Sequence, residues 1–277
     1  MDNDKLKQIL LKGTPITGGM IGGAIGLIGG SVGIIAGEGL GVLATLLLNE
    51  VIERNLSDRE KIRIAATSTF LLSGIAKRLE NGEKIRDDDF FDKKTYKRSK
   101  AEELFEGTLL KCSNQFQEKK IKFISKIFEK TIFDKSISAE STHQLLVLIE
   151  SLTYRKLCII SFYGRRNLDF LGEILMRDVY SWYPHIKFTT NEKLLLQDLY
   201  ELIALDILNA GNMLMVTNKD ITPDKLTLSE IGKSLYEIMD LNEIEQEDIL
   251  PILEGLKYKT EWGKSTNGTI NGERNVN

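Results

Sequence analysis

Two patterns of apolar residues divide the chain. Over residues 13–37, 25 positions, no side chain is charged, and from there to Asn49 the one charge is Glu38. From Ser57 onward, apolar residues recur every three or four positions among charged ones, the period of helices with one buried face. Ile62, Ala65, Ala66, Thr69, Leu72, Ala76 and Leu79 predict the first such helix, opened by the capping box Ser57-x-x-Glu60 and stopped at Gly82. Ser99-x-x-Glu102 opens the next, which runs through KKIKFISKIFEKTIF to Phe133 with a break expected at residues 112–114. Two short helices, 141–151 and 154–163, read as a tight pair, and a third, 168–180, ends before Pro184 because proline disfavours helix in the residue ahead of it. Thr189-x-x-Glu192 starts a long apolar helix over 194–208, followed by a turn with a short strand, MLMV. Thr227-x-x-Glu230 caps LTLSEIGKSLYEIM, and Asn242-x-x-Glu245 opens a last short helix.

The expected class is all-α: an N-terminal glycine-zipper membrane segment, then a helical bundle with a small winged-helix-like end. The expected organisation is a polar lead over 1–12, the glycine-rich segment over 13–56, a helical body over 57–258 and a polar, glycine-containing tail over 259–277 that lacks the apolar residues to order itself.

The apolar run holds eleven of the chain's 23 glycines between residues 18 and 41. Gly18, Gly22, Gly26 and Gly30 step by four, and so do Gly29, Gly33, Gly37 and Gly41. A step of four keeps residues on one helix face. Glycine there lets two backbones approach, the small-xxx-small packing of membrane helices. In water each glycine costs a helix about 1 kcal/mol against alanine. In a bilayer the backbone must bond internally, which enforces helix regardless, and 25 residues suffice to cross the hydrocarbon core. The run reads as one tilted span or as two shorter helices meeting near residues 29–33. Glu38 either lines a pore in a ring of subunits or ends the span at the interface. The alternative is a close-packed glycine hairpin inside a soluble protein. The match of Gly39-x-Gly41-x-x-Ala44 to a dinucleotide fingerprint lacks the βαβ context that gives that motif its meaning.

Composition narrows the chemistry. A net charge of −3 with 28% charged residues selects no partner by itself. The start, MDNDKLKQILLK, is mixed in charge, unlike the basic leader of a secretory signal, so the glycine-rich segment is expected to be retained. Cys112 and Cys158 are too few for a disulfide framework, and His143 and His185 are not paired as zinc ligands are. No serine or cysteine nucleophile stands in a motif with histidine, so no enzyme activity, metal or cofactor is expected. Lys119, Lys120, Lys122, Lys126 and Lys130 share a helix with Phe123, Ile124, Ile127 and Phe128. This spacing gives either an amphipathic bundle helix with a solvated basic edge or an electropositive surface for phosphates. Arg155, Lys156, Arg165 and Arg166 flank a neighbouring helix and would extend that surface. Asp87, Asp88 and Asp89 lack calcium-loop spacing and read as an exposed loop, with Phe90 and Phe91 tucked under the bundle.

Three stretches carry a resemblance: ENGEKIRDDDFF at 80–91, KKIKFISKIFEKTIFD at 119–134 and LIESLTYRKLCIISFY at 148–163, followed by LTLSEIGKSLYEIM. With the N-terminal run, the pattern resembles the membrane effectors of Hailong-type bacterial anti-phage defence systems. The resemblance implies a helical homo-oligomer whose N-terminus enters the membrane lipid and forms an ion-conducting channel. It also implies a partner nucleotidyltransferase that makes a short single-stranded DNA holding the effector inactive. The implied location is the cytoplasmic membrane, with a soluble or peripheral state before activation.

Overall fold

Hydroxyl side chains decide where several helices begin. The computed structural model describes residues 56–93, 98–165, 189–211 and 221–256. Over these residues the chain forms α1 (Asp58–Glu80), α2 (Lys100–Ser113), α3 (Lys119–Phe133), α4 (Ala139–Ser151), α5 (Tyr154–Arg165) and α6 (Thr190–Ala204). Strands β1 (Leu208–Asn209) and β2 (Thr227–Leu228) follow, then α7 (Glu230–Ile238) and α8 (Gln246–Leu256). The described part is therefore all-α with one two-residue antiparallel β pair, Leu208 opposite Leu228. The glycine run, the 168–180 helix, the MLMV strand and the tail lie outside the described residues.

The capping boxes at Ser57, Ser99 and Thr189 are formed, each hydroxyl accepting from the backbone N–H three residues on while the glutamate there returns to the cap's own N–H. The stop at Gly82 is also formed. Gly82 takes φ +84, and the N–H groups of Gly82 and Glu83 donate back to Leu79 and Arg78 carbonyls at 2.9 and 3.0 Å. The expected break after Cys112 separates α2 from α3.

Three expected boundaries are corrected. The cap of α7 is Ser229, whose Oγ accepts from Gly232 N at 3.0 Å, because Thr227 is held extended against Asn209 in the β pair. Asn242 sits in a 3-10 turn, Leu241–Glu243, and α8 starts at Gln246. Helix α6 ends at Ala204, short of residue 208. Asp206 turns left-handed there, with φ 54, and Ile207 N closes the helix end onto Leu202 O at 2.9 Å before the chain enters β1.

Helix α1 lies against α2 and α3, α4 covers α2 and α3, and α5 packs with α6, α7 and α8. One continuous apolar core runs from Ile64 to Leu256. Its centre in the first half is aromatic: Phe128 stands 5.5 Å from Phe105 and 6.4 Å from Phe90, centroid to centroid. Helix α1 buries a wider face than its period predicted, adding Ile64, Leu71 and Ile75, because two helices cover it rather than one.

Candidate functional site

Helix α3 carries the residues that spacing offered to phosphates, and the fold divides them between two environments. Lys120 points inward and is 2% exposed, its ammonium donating to Leu152 O at 2.5 Å. Burial pushes its pKa down, opposed by the nearby Cys112 and Glu150. The other lysines lie along one edge and meet an acidic arm formed by the α7–α8 connection and the start of α8. Lys119 Nζ lies 2.7 Å from Asp248 Oδ1, and Lys122 Nζ 2.7 Å from Glu243 Oε2. Asp240 receives both Lys126 and Lys130, at 3.2 and 3.1 Å. Asp240 is set for this by a left-handed backbone, φ 49, which aspartate tolerates better than most residues.

The pairs differ in depth. Lys119, Lys122 and their partners remain partly exposed to solvent, where such pairs contribute about 0–1 kcal/mol each. Lys126 reaches deeper, to Glu129 Oε2 at 3.1 Å, and Glu129 is 2% exposed. Burial raises the pKa of Glu129, and the Lys126 ammonium works against that rise. The carboxylate occupies the space above Gly74 of α1, where a Cβ would stand 1.9 Å from Oε2.

The arginines behave in the same way. Arg155 pairs with Asp198 and donates to Leu194 O at 3.1 Å, fixing α5 to α6. Lys156 pairs with Glu201, whose pKa this contact lowers. Arg165 Nη2 donates to three carbonyls, Leu241 at 3.1 Å, Asn242 at 2.5 Å and Ile244 at 2.6 Å, while Ser161 Oγ donates to Leu241 O at 2.6 Å. These bonds hold the acidic arm in place opposite α3. Tyr154 Oη adds a bond to Asp248 Oδ2 at 2.9 Å. The structure thus brings Lys119, Lys122, Lys126 and Lys130 together but covers them, and it spends Lys120, Arg155 and Arg165 on internal contacts. Arg166, the glycine rows and Glu38 lie outside the described residues.

The aspartate triplet is divided among three cations. Asp88 clamps Arg86 at 2.5 Å, Asp87 meets Lys135 at 2.9 Å and Asp89 meets Lys100 at 3.1 Å. Hydrogen bonding to Arg86 holds the Asp88 carboxyl below the usual range. Arg86 itself is 9% exposed and donates to Thr131, Asp134 and Ile137 carbonyls at 3.1, 3.3 and 2.9 Å, closing the end of α3. Phe90 is buried, with Phe91 edge-on at 5.1 Å, as the loop reading expected. No group of three or more potential metal ligands gathers among the described residues. Cys112 and Cys158 are buried, and burial pushes both thiols up to about 12, so neither is a thiolate at neutral pH.

Sequence reasoning missed Asp240, Glu243, Asp248 and Glu129 as partners of the lysine edge. Glu129 lies three residues from Lys126 on the same helix, whereas the other three meet the lysines only once the chain has folded back by more than a hundred residues, as from Lys119 to Asp248. No helix among the described residues is long and apolar enough to cross a membrane. No protein-family model, curated protein or solved structure matches the chain.

Proposed function

We propose that the chain is a membrane-active, channel-forming effector of a bacterial anti-phage, abortive-infection defence system. In this reading it is oligomeric and acts at the cytoplasmic membrane, held inactive by a nucleic-acid ligand that a partner enzyme makes. The observation that carries the reading is the 25-residue uncharged run with its step-of-four glycines ahead of a charged helical body. The resemblance of residues 80–91, 119–134 and 148–163 supplies the biological setting. Close glycine packing would let several copies assemble, and Glu38 would stand as the single charge of the inserted region. The lysine edge of α3 is the surface that a phosphate chain would occupy, and such a ligand would have to displace Asp240, Glu243 and Asp248 from it.

Replacing Gly22, Gly26, Gly33 and Gly37 together by isoleucine should abolish toxicity and ion flux in cells expressing the full chain. Flux and toxicity at the parental level would overturn the reading. A chain that stays wholly in the soluble fraction and leaves vesicles intact would instead be a soluble all-α nucleic-acid-binding regulatory or scaffold protein whose glycine hairpin packs internally.

A further inference from the structure

Phe116, in the turn between α2 and α3, is 83% exposed, the most open of the large apolar side chains among the described residues. Such a ring in water leaves apolar surface that folding ordinarily buries. The turn that carries it is tightly fixed. Gln115 is buried, and Gln117 Oε1 accepts from Tyr154 N at 2.9 Å. Glu118 accepts from Arg59 at 2.7 Å and from Arg63 at 3.2 Å, and Arg63 also donates to Ser113 O at 3.0 Å. Its neighbours are therefore anchored while the ring alone points away from the body.

The same bonds place the turn beside the first turn of α1. Asp58 follows Asn49, the end of the almost uncharged run, by nine residues. Nine residues span at most about 32 Å. If the run enters a bilayer, that length keeps the α1 start, with Phe116 beside it, within about 32 Å of the bilayer surface. We propose that Phe116 docks the helical body onto the lipid surface, its ring entering the headgroup–acyl boundary beside the inserted segment, where the Trp, Phe and Leu side chains of surface-bound helices bury. This inference rests on the membrane reading above. The first turn of α1 alternates Asp58, Arg59, Glu60 and Lys61 and has no net charge, so the contact is apolar rather than an attraction to anionic headgroups, and it should persist at high salt.

The test uses the full chain with Phe116→Cys labelled by an environment-sensitive fluorophore. Cys112 and Cys158 are buried, so the label goes to position 116. A second full-length protein, Ile28→Cys with the same label, reports on the run itself. Both are mixed with phosphatidylethanolamine–phosphatidylglycerol vesicles at low and high salt. Docking predicts a blue shift and at least a doubling of emission at both positions, retained at high salt. Entry of the 28 probe with an unchanged 116 probe overturns the docking and leaves the membrane reading standing. Two unchanged probes overturn both. A 116 signal that follows protein concentration without lipid assigns the ring to a second copy of the chain and also overturns docking. Phe116→Ala should lower vesicle flux several-fold and Phe116→Trp should restore it, with melting temperatures unchanged because the ring is exposed. Equal flux for all three proteins counts against the proposal.

Discussion

Glu129 sits between α1 and α3 with Lys126 as its ion-pair partner, in the space that Gly74 leaves open. Burial raises its pKa, so the folded state holds the proton more tightly than the unfolded chain does. The sign follows from linkage. Between the ordinary glutamate value and the raised one, the folded protein binds more protons, and its stability falls as pH rises through that window. Glu129→Gln removes the titration and keeps the shape. The stability of the parent minus that of Glu129→Gln, from urea melts at a series of pH values, should therefore decline with rising pH across that window. A flat difference would show that the carboxyl is not held in a desolvated site. The Lys126 partner stands three residues away on the same helix, but the burial was not legible at the residue itself. In the sequence Glu129 is a charged position in an amphipathic helix, and Gly74 is an interior glycine in LLSGIAK. Their meeting is a property of how closely two helices approach.

Helix boundaries were legible where the deciding atoms are local. The boxes at Ser57, Ser99 and Thr189 close within four residues, so their letters suffice. Thr227-x-x-Glu230 and Asn242-x-x-Glu245 carry equally good letters and fail, because a strand partner and a 3-10 turn set the backbone there. The two left-handed aspartates sharpen the point. Asp206 is exposed and serves as the residue after a helix end, a place where glycine is at ease. Asp240 has the same backbone but holds two lysines. Asp206→Gly should raise stability by up to about 1 kcal/mol, since the left-handed region costs an L-residue about 1–2 kcal/mol. Asp240→Gly should lower it despite the same backbone relief. Opposite signs in parallel urea melts would confirm that side-chain contacts, not backbone conformation, keep Asp240 in place.

Across the molecule, the lysine edge of α3 joins the helices before it to those after it. Sequence period correctly made α3 amphipathic with a basic edge, and the acids that cover the edge come from the far end of the body. Converting Asp240, Glu243 and Asp248 together to asparagine, glutamine and asparagine should uncover the row. Single-stranded oligonucleotide binding, read by fluorescence anisotropy, should then tighten. The slope of log K against log salt should steepen by about 2, as expected for three further phosphate contacts. Stability should fall by about 1–3 kcal/mol with the lost pairs. Binding that is unchanged by the triple replacement would show that the row is not a phosphate surface even when free. The helices themselves were readable because each is specified by its own period. The seam was not, because its two sides lie in separate parts of the chain.

That separation has a consequence in time. Lys119 and Asp248 are 129 residues apart. At about 5–20 residues per second of synthesis, the lysines leave the ribosome roughly 6–26 s before the acid that covers the first of them. During those seconds the newborn chain presents a bare basic helix, and any polyanion nearby reaches it before the protein's own acidic arm does.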